Sequence, residues 1–112
     1  MMLNFAPRHA AILAASTLCL MSNAFAQADA GKDALYVKSL AATCANCHGT
    51  NGKATEGSAV VSLAGLDKTY HIAQMKAFKN GTRPATVMHQ LSKGYSDAQI
   101  EVLASYFAAQ KK

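Results

Sequence analysis

Apolar positions in this chain recur with a helical period and almost never with the two-residue alternation of a strand. From Asp33 to Cys44, Leu35, Val37 and Leu40 stand among alanines, which predicts a first helix over 33–44. Ile72, Met75 and Phe78 repeat at a three-residue step and predict a second helix, from Asp67 as N-cap to about Asn80. Gly81 stands where a left-handed C-terminal cap would sit, and Arg83-Pro84 stops further helix. The last helix, 97–110, is the best marked. Ser96 and Gln99 have capping-box spacing, and Asp97 suits the positive end of the helix dipole. Ile100, Leu103, Ala104 and Phe107 then form an i, i+3, i+4, i+7 stripe. Between the first two helices, Gly49 to Gly65 is rich in Gly, Ser, Thr and Asn and ends on Val60, Val61 and Leu63. It reads as a loop that wraps something apolar. With no repeats and no tight hairpin signals, the expectation is one all-α domain of three main helices.

The start of the chain reads differently. Met1 to His9 carries Arg8, Ala10 to Met21 is almost wholly apolar, and Ala24-Phe25-Ala26 follows. A basic start, a short apolar run and an A-x-A site predict a secretory signal peptide over 1–26, leaving a domain at 27–112 in the periplasm. The apolar run is too short to span a bilayer and no later run is longer, so no stable membrane insertion is expected. A retained anchor is the weaker reading, and so is a lipoprotein at Cys19, because Leu18 before it is bulky. Cleavage removes Arg8 and lowers the formal charge from +5 to +4. A basic surface of this kind steers acidic partners. Nucleic acid is not expected, since the lysines are scattered without a recognition helix or aromatic platform.

Loss of Cys19 leaves Cys44 and Cys47, which are too close in sequence to staple a domain. A domain this small needs another source of core, and a large apolar cofactor would supply it. Cys44-Ala45-Asn46-Cys47-His48 is a C-x-x-C-H sequence, the attachment signature of haem c. Two thiols one helical turn apart can meet the two porphyrin vinyl groups, which places the next residue, His48, beneath the iron. A thioredoxin-like site would want a βαβ setting. Zinc would want His71 and His89 at closer spacing, and a plain disulfide leaves His48 unexplained.

An electron-transferring iron needs a sixth ligand, and a methionine thioether raises its potential. Met75 sits at a core-facing helical step, whereas Met88 lies in a segment expected to be irregular and free to fold across the ring. Met88 is therefore the expected ligand. His89 competes but is expected at the surface or in a loop, and His71 is expected to be solvated. Tyr36, Tyr70, Tyr95, Tyr106 and Phe107 are pocket candidates without assigned roles.

The order helix, C-x-x-C-H, loop, helix, Met-bearing loop, helix resembles the class I cytochromes c over essentially all of 27–112. In that family the first and last helices cross beside the haem. Here those are 33–44 and 97–110, with Leu103 and Tyr106 matching the packing face. Ser62-Leu-Ala-Gly-Leu66, Phe78 through Met88 and Lys93-Gly-Tyr-Ser96 are similar to the cytochrome subunits of flavocytochrome c sulfide dehydrogenases, and in part to c4-type carriers. The resemblance implies one covalent haem c on Cys44 and Cys47, with His48 and Met88 as axial ligands. It further implies a single-electron role as the haem subunit beside a sulfide-oxidising flavoprotein, not catalytic alone. A free-diffusing c4/c5-like carrier is the alternative, exchanging electrons with other redox proteins. A sensor or peroxidase is disfavoured, because it would need an open iron position. Lys68, Lys76, Lys79, Arg83 and Lys93 are candidates for a docking rim. One departure stands out: no proline lies between His48 and Arg83, where the family usually has one whose carbonyl orients the histidine. A carbonyl from Ser58 to Ser62 is expected to take that task.

Overall fold

A computed structural model of the chain describes residues 33–112; the expected signal peptide at 1–26, with Cys19, lies outside the described residues. Every regular element among the described residues is helical. Helix α1 covers 33–48, α2 Lys68–Lys79, α3 Met88–Leu91 and α4 Asp97–Ala108, with short 3-10 turns at Thr50–Gly52 and Ser92–Gly94. Residues 33–35 only open α1, and the compact body is 36–112.

Helix α1 runs four residues past its expected end at Cys44, because nothing in Ala45-Asn46-Cys47-His48 stops it. It ends at Gly49, whose amide donates to the Ala45 carbonyl at 2.9 Å. Gly49 holds φ +83°, and a Cβ there would lie 2.0 Å from the Lys53 carbonyl oxygen. Only glycine can make this turn. The extension puts Cys44 and His48 one turn apart on the same face of α1, with Cys47 a near neighbour.

Helix α2 starts as predicted, the Asp67 carboxylate accepting from the Tyr70 amide at 2.8 Å. Its inward face differs from the predicted one. The buried residues are Met75 and His71, an i, i+4 pair facing α4, while Ile72 and Phe78 are half-buried. His71, expected to be solvated, is 4% exposed. Its flat ring stacks on Phe107 at 5.7 Å between centroids and 18° between planes. Its Nδ1 is sealed from solvent with no hydrogen-bond partner. The segment around Met88, expected to be irregular, winds into the single turn of α3. Pro84 lies before this turn and does not interrupt it, and Met-His-Gln-Leu contains good helix formers.

Helix α4 carries both halves of its capping box between Ser96 and Gln99. Ile100, Leu103, Ala104 and Phe107 are all fully buried or within 1% of it, as the stripe predicts. Leu103 and Phe107 join Ala41 and Leu63 in the core, with Leu40, Cys44, Leu66, Tyr95 and Tyr106 packed around them. Polar ties bind the same elements together. Gln99 Nε2 donates to the Tyr36 hydroxyl at 3.0 Å, and the Tyr106 hydroxyl donates to Asn51 Oδ1 at 2.8 Å. Lys79 Nζ donates to Asp97 Oδ1 at 2.9 Å, with Lys76 3.6 Å from the other oxygen. The Lys79 hydrogen bond, first, and the charges of both lysines hold the Asp97 carboxyl below the usual carboxylate range. The clasp is exposed and adds little to stability.

Burial, and secondarily the charge of His48, hold the His71 imidazole below its ordinary pKa of 6.5. The unfolded chain therefore takes up a proton that the fold excludes, and stability falls as pH drops below that value. The unpaired nitrogen costs about 1 kcal/mol or more besides. His71→Leu is expected to raise the thermal midpoint, with a wider margin over wild type at about pH 5 than at about pH 8. An identical margin at both would show that the imidazole is not excluded from protonation.

Candidate haem site

A cavity of about 670 Å³ opens between α1, the 59–66 loop, α2 and the segment from Arg83 to Tyr95. Cys44, Cys47 and His48 line it from α1, and Met88 lines it from α3. The four residues singled out by the sequence thus share one wall-to-wall space. The rest of the lining is mainly apolar: Val60, Val61, Leu63 and Leu66 from the loop, Met75 from α2, Leu91, and Leu103 from α4. A second hollow of about 440 Å³, edged by Lys38, Ala42, Asn51 and Tyr106, holds no thiol, imidazole or thioether.

His48 is held from behind. Its Nδ1 lies 2.7 Å from the Val61 carbonyl oxygen, and a carbonyl can only accept, so Nδ1 carries the proton. Nε2 is then left with the lone pair that binds a metal. Val61 falls in the window in which the sequence expected a carbonyl. Its own side chain is 65% exposed, so this position serves through its backbone.

The loop that presents this carbonyl is pinned one step further back. The Gly52 carbonyl accepts from the Leu63 amide at 2.7 Å, the Ala64 amide at 3.0 Å and the Ser62 hydroxyl at 2.9 Å. Gly52 sits at φ +77°, and a Cβ on it would meet the Phe107 ring at 2.6 Å and Leu63 Cβ at 2.9 Å. The close approach of this backbone to α4 therefore fixes residues 62–64, and with them Val61.

Burial pushes the Cys44 thiol up, against weaker opposing hydrogen bonds from Thr43 and Tyr95. Zinc would need further His, Cys or carboxylate ligands beside the thiols, and no such cluster of three or more occurs among the described residues. Both cysteines are free of disulfides, Cys47 being exposed. An apolar slot with two thiols on one helix, an oriented imidazole and a thioether fits a haem in its donor chemistry and its lining.

Other expectations sort themselves in this geometry. Of the aromatic candidates, Tyr70 and Tyr95 line the cavity, while Tyr36, Tyr106 and Phe107 do not. His89, expected at the surface or in a loop, stands in a helix instead. It is half-buried in α3 with Nδ1 sealed, and it does not line the cavity. The docking-rim candidates are largely engaged: Lys76 and Lys79 with Asp97, Lys93 with Gln90 at 3.2 Å, and Arg83 with Gln74 and over the Phe78 ring at 4.6 Å. Sequence reasoning missed His71 and Gln74 as lining residues, since neither sits in a motif. No helix among the described residues is long and apolar enough to cross a membrane.

This fold and site define a cytochrome c domain, and the chain belongs to the cytochrome c family, whose model matches residues 34–111. Membership brings one covalently attached haem c and a role in electron transfer. The chain is similar to the cytochrome subunit of sulfide dehydrogenase of Chlorobaculum tepidum, at 40% identity over 61% of this chain and 60% of that protein. It is similar to cytochrome c4 of Pseudomonas aeruginosa, at 36% over 75% of this chain and 41% of that protein. It is also similar to cytochrome c-554(548) of Halomonas halodenitrificans, at 35% over 62% of this chain and 86% of that protein. The chain thus spans less than two thirds of the sulfide dehydrogenase subunit and under half of the c4 relative.

Gly52→Ala tests how the site is supported. The added methyl group meets Phe107 and forces a left-handed residue to carry a Cβ. A loss of about 2–4 kcal/mol is expected, read as a lower denaturation midpoint. An unchanged midpoint would mean that Gly52 and Phe107 can separate without cost.

Proposed function

We propose that the chain is a periplasmic monohaem cytochrome that carries single electrons, with Cys44 and Cys47 as thioether anchors and His48 and Met88 as axial ligands. The observation that carries this reading is the convergence of all four side chains on one apolar cavity, with His48 held by the Val61 carbonyl. Export follows from the signal-peptide pattern over 1–26, removed to leave 27–112. The haem supplies a one-electron iron couple, and the protein's own residues decide how that couple behaves.

Each residue has a distinct task. Cys44 and Cys47 would hold the ring to α1 through thioether bonds, a tether supplied by one helix. The Val61 carbonyl sets the tautomer and direction of His48 and raises its basicity. Met88 offers a soft thioether, which favours ferrous iron and raises the potential. Leu63, Leu66, Met75 and Leu103 exclude water, so little solvent has to reorganise when the charge changes.

As to partners, the favoured reading is a haem subunit that accepts electrons from a sulfide-oxidising flavoprotein, supported by likeness to the Chlorobaculum subunit. A free-diffusing carrier is the second reading, supported by the c-554(548) relative, 86% of which is matched. Co-purification with a flavin-containing protein favours the first, and a haem protein that purifies alone favours the second. In neither is this chain the catalyst of sulfide oxidation.

Met88→Ala tests the ligand assignment. The variant is expected to lose the far-red band of sulfur-ligated ferric haem and to bind carbon monoxide when reduced. Its potential should fall by on the order of a few tenths of a volt, within the roughly 0.8 V that axial ligands span. A variant that keeps the wild-type potential and band would remove Met88 from the iron.

A further inference from the structure

Tyr95 has no role in the reading above, yet three elements meet on it. Its ring lines the cavity and packs against the core cluster. Its hydroxyl lies 2.6 Å from Thr43 Oγ1, on the helix that carries the thiols and one residue before Cys44. Thr43 Oγ1 donates its own hydrogen to the Leu40 carbonyl at 2.7 Å, so in this pair Tyr95 is the donor. The Tyr95 carbonyl accepts from Lys79 Nζ at 2.9 Å, which ties the same residue to the end of α2.

Tyr95 is also mechanically continuous with Met88. The Ser92 amide donates back to the Met88 carbonyl, and the Tyr95 amide donates to the Ser92 carbonyl at 3.2 Å. From Met88 to Gly94 the chain is helical turn without interruption. A displacement at Tyr95 is passed toward Met88 through these backbone hydrogen bonds, which span Gly94. By contrast, the side of this segment toward Arg83 is exposed chain from Gly81 to Pro84. The segment is also anchored to α2, through the Arg83 amide bonded to the Ala77 carbonyl at 3.0 Å, but its tie to the helix that carries the thiols comes from the Tyr95 end.

We infer that Tyr95 is a positioning residue for the sixth ligand: its hydroxyl bond to Thr43 straps the Met88 segment to the haem-bearing helix and keeps the thioether seated. The inference rests on Met88 being an axial ligand. The strap joins the helix that supplies one axial ligand to the segment that supplies the other, between two residues that line the cavity. Covalent attachment does not need it, since the thiols and His48 all lie on α1. Its effect falls on the bond between Met88 and iron, the link to the haem that comes from outside α1.

The test uses holoprotein with attached haem, comparing wild type, Tyr95→Phe, Thr43→Val and the double variant. Two readouts are taken: the temperature at which the far-red band of methionine-bound ferric haem disappears, and the rate of carbon monoxide binding to the reduced protein. Helix content against temperature is followed in parallel. Each single variant is expected to lose the band at a lower temperature, by more than its helix midpoint falls. Each should bind carbon monoxide about threefold to tenfold faster, the range set by one lost hydrogen bond. The double variant should be no worse than the worse single one, because both remove the same bond. Band loss that merely tracks helix loss, or effects that add in the double variant, would overturn the strap. A wild type without the band would remove Met88 from the iron and the strap's role with it, whereas a wild-type band with unaltered variants would overturn the strap alone.

Discussion

The 2.7 Å approach of His48 Nδ1 to the Val61 carbonyl is the contact on which the rest of the site depends. An imidazole on a helix end can rotate about two bonds, and thiol anchors on the same helix do nothing to stop it. A carbonyl on the far side does. That carbonyl belongs to a loop with little secondary structure, so its own position must be set elsewhere. Gly52 sets it, by gathering the Leu63 and Ala64 amides and the Ser62 hydroxyl onto one oxygen. Gly52 is in turn held against Phe107 of α4 at a distance no side chain would allow. The last helix thus helps to orient His48 through Gly52 and the 61–64 loop.

The same chain of dependence explains why so few residues are fully buried. Ala41, Leu63, Leu103 and Phe107 form the core cluster, and Leu63 and Leu103 also face the cavity. Core and cofactor site share walls. A haem seated there extends the apolar interior instead of occupying a pocket cut out of it, so binding and folding draw on one set of contacts. Val60, Val61, Val87 and Leu91, large apolar side chains left exposed by the polypeptide, lie along the same cavity.

Much of this was legible in the pattern of residues, and the parts that were not share a cause. The capping box of α4, its buried stripe and the Asp67 cap are local devices, decided within one turn of chain, and the structure keeps them. The end of α1 was misplaced because the C-x-x-C-H motif looks like a boundary in function but contains no helix stop. The stop is Gly49, fixed by a clash with Lys53 that only the folded loop creates. The solvated reading of His71 failed because imidazole is polar on average, while here its flat face meets Phe107. The carbonyl behind His48 could be narrowed to five residues and no further, since every residue has one. Side-chain identity carries no record of which backbone oxygen points inward.

Charge acts in this fold both locally and at a distance. The basic residues around the site invite reading as a docking rim, but in the fold they are mostly struts. Lys79 bridges α2 to both the Tyr95 carbonyl and Asp97, Lys76 reaches the same carboxylate, and Arg83 lies over Phe78. These contacts tie α2 to the start of α4 and to the segment that follows Met88. A cation so engaged still contributes to the long-range field, which depends on net charge and not on hydrogen bonds. It gives up less readily to a close salt bridge with a partner, because its present bonds must first be broken. The engaged lysines thus act mainly at a distance, while the exposed lining of the cavity sets the apolar side chains of Val61, Tyr70, Val87 and Leu91 beside Arg83 and Thr86.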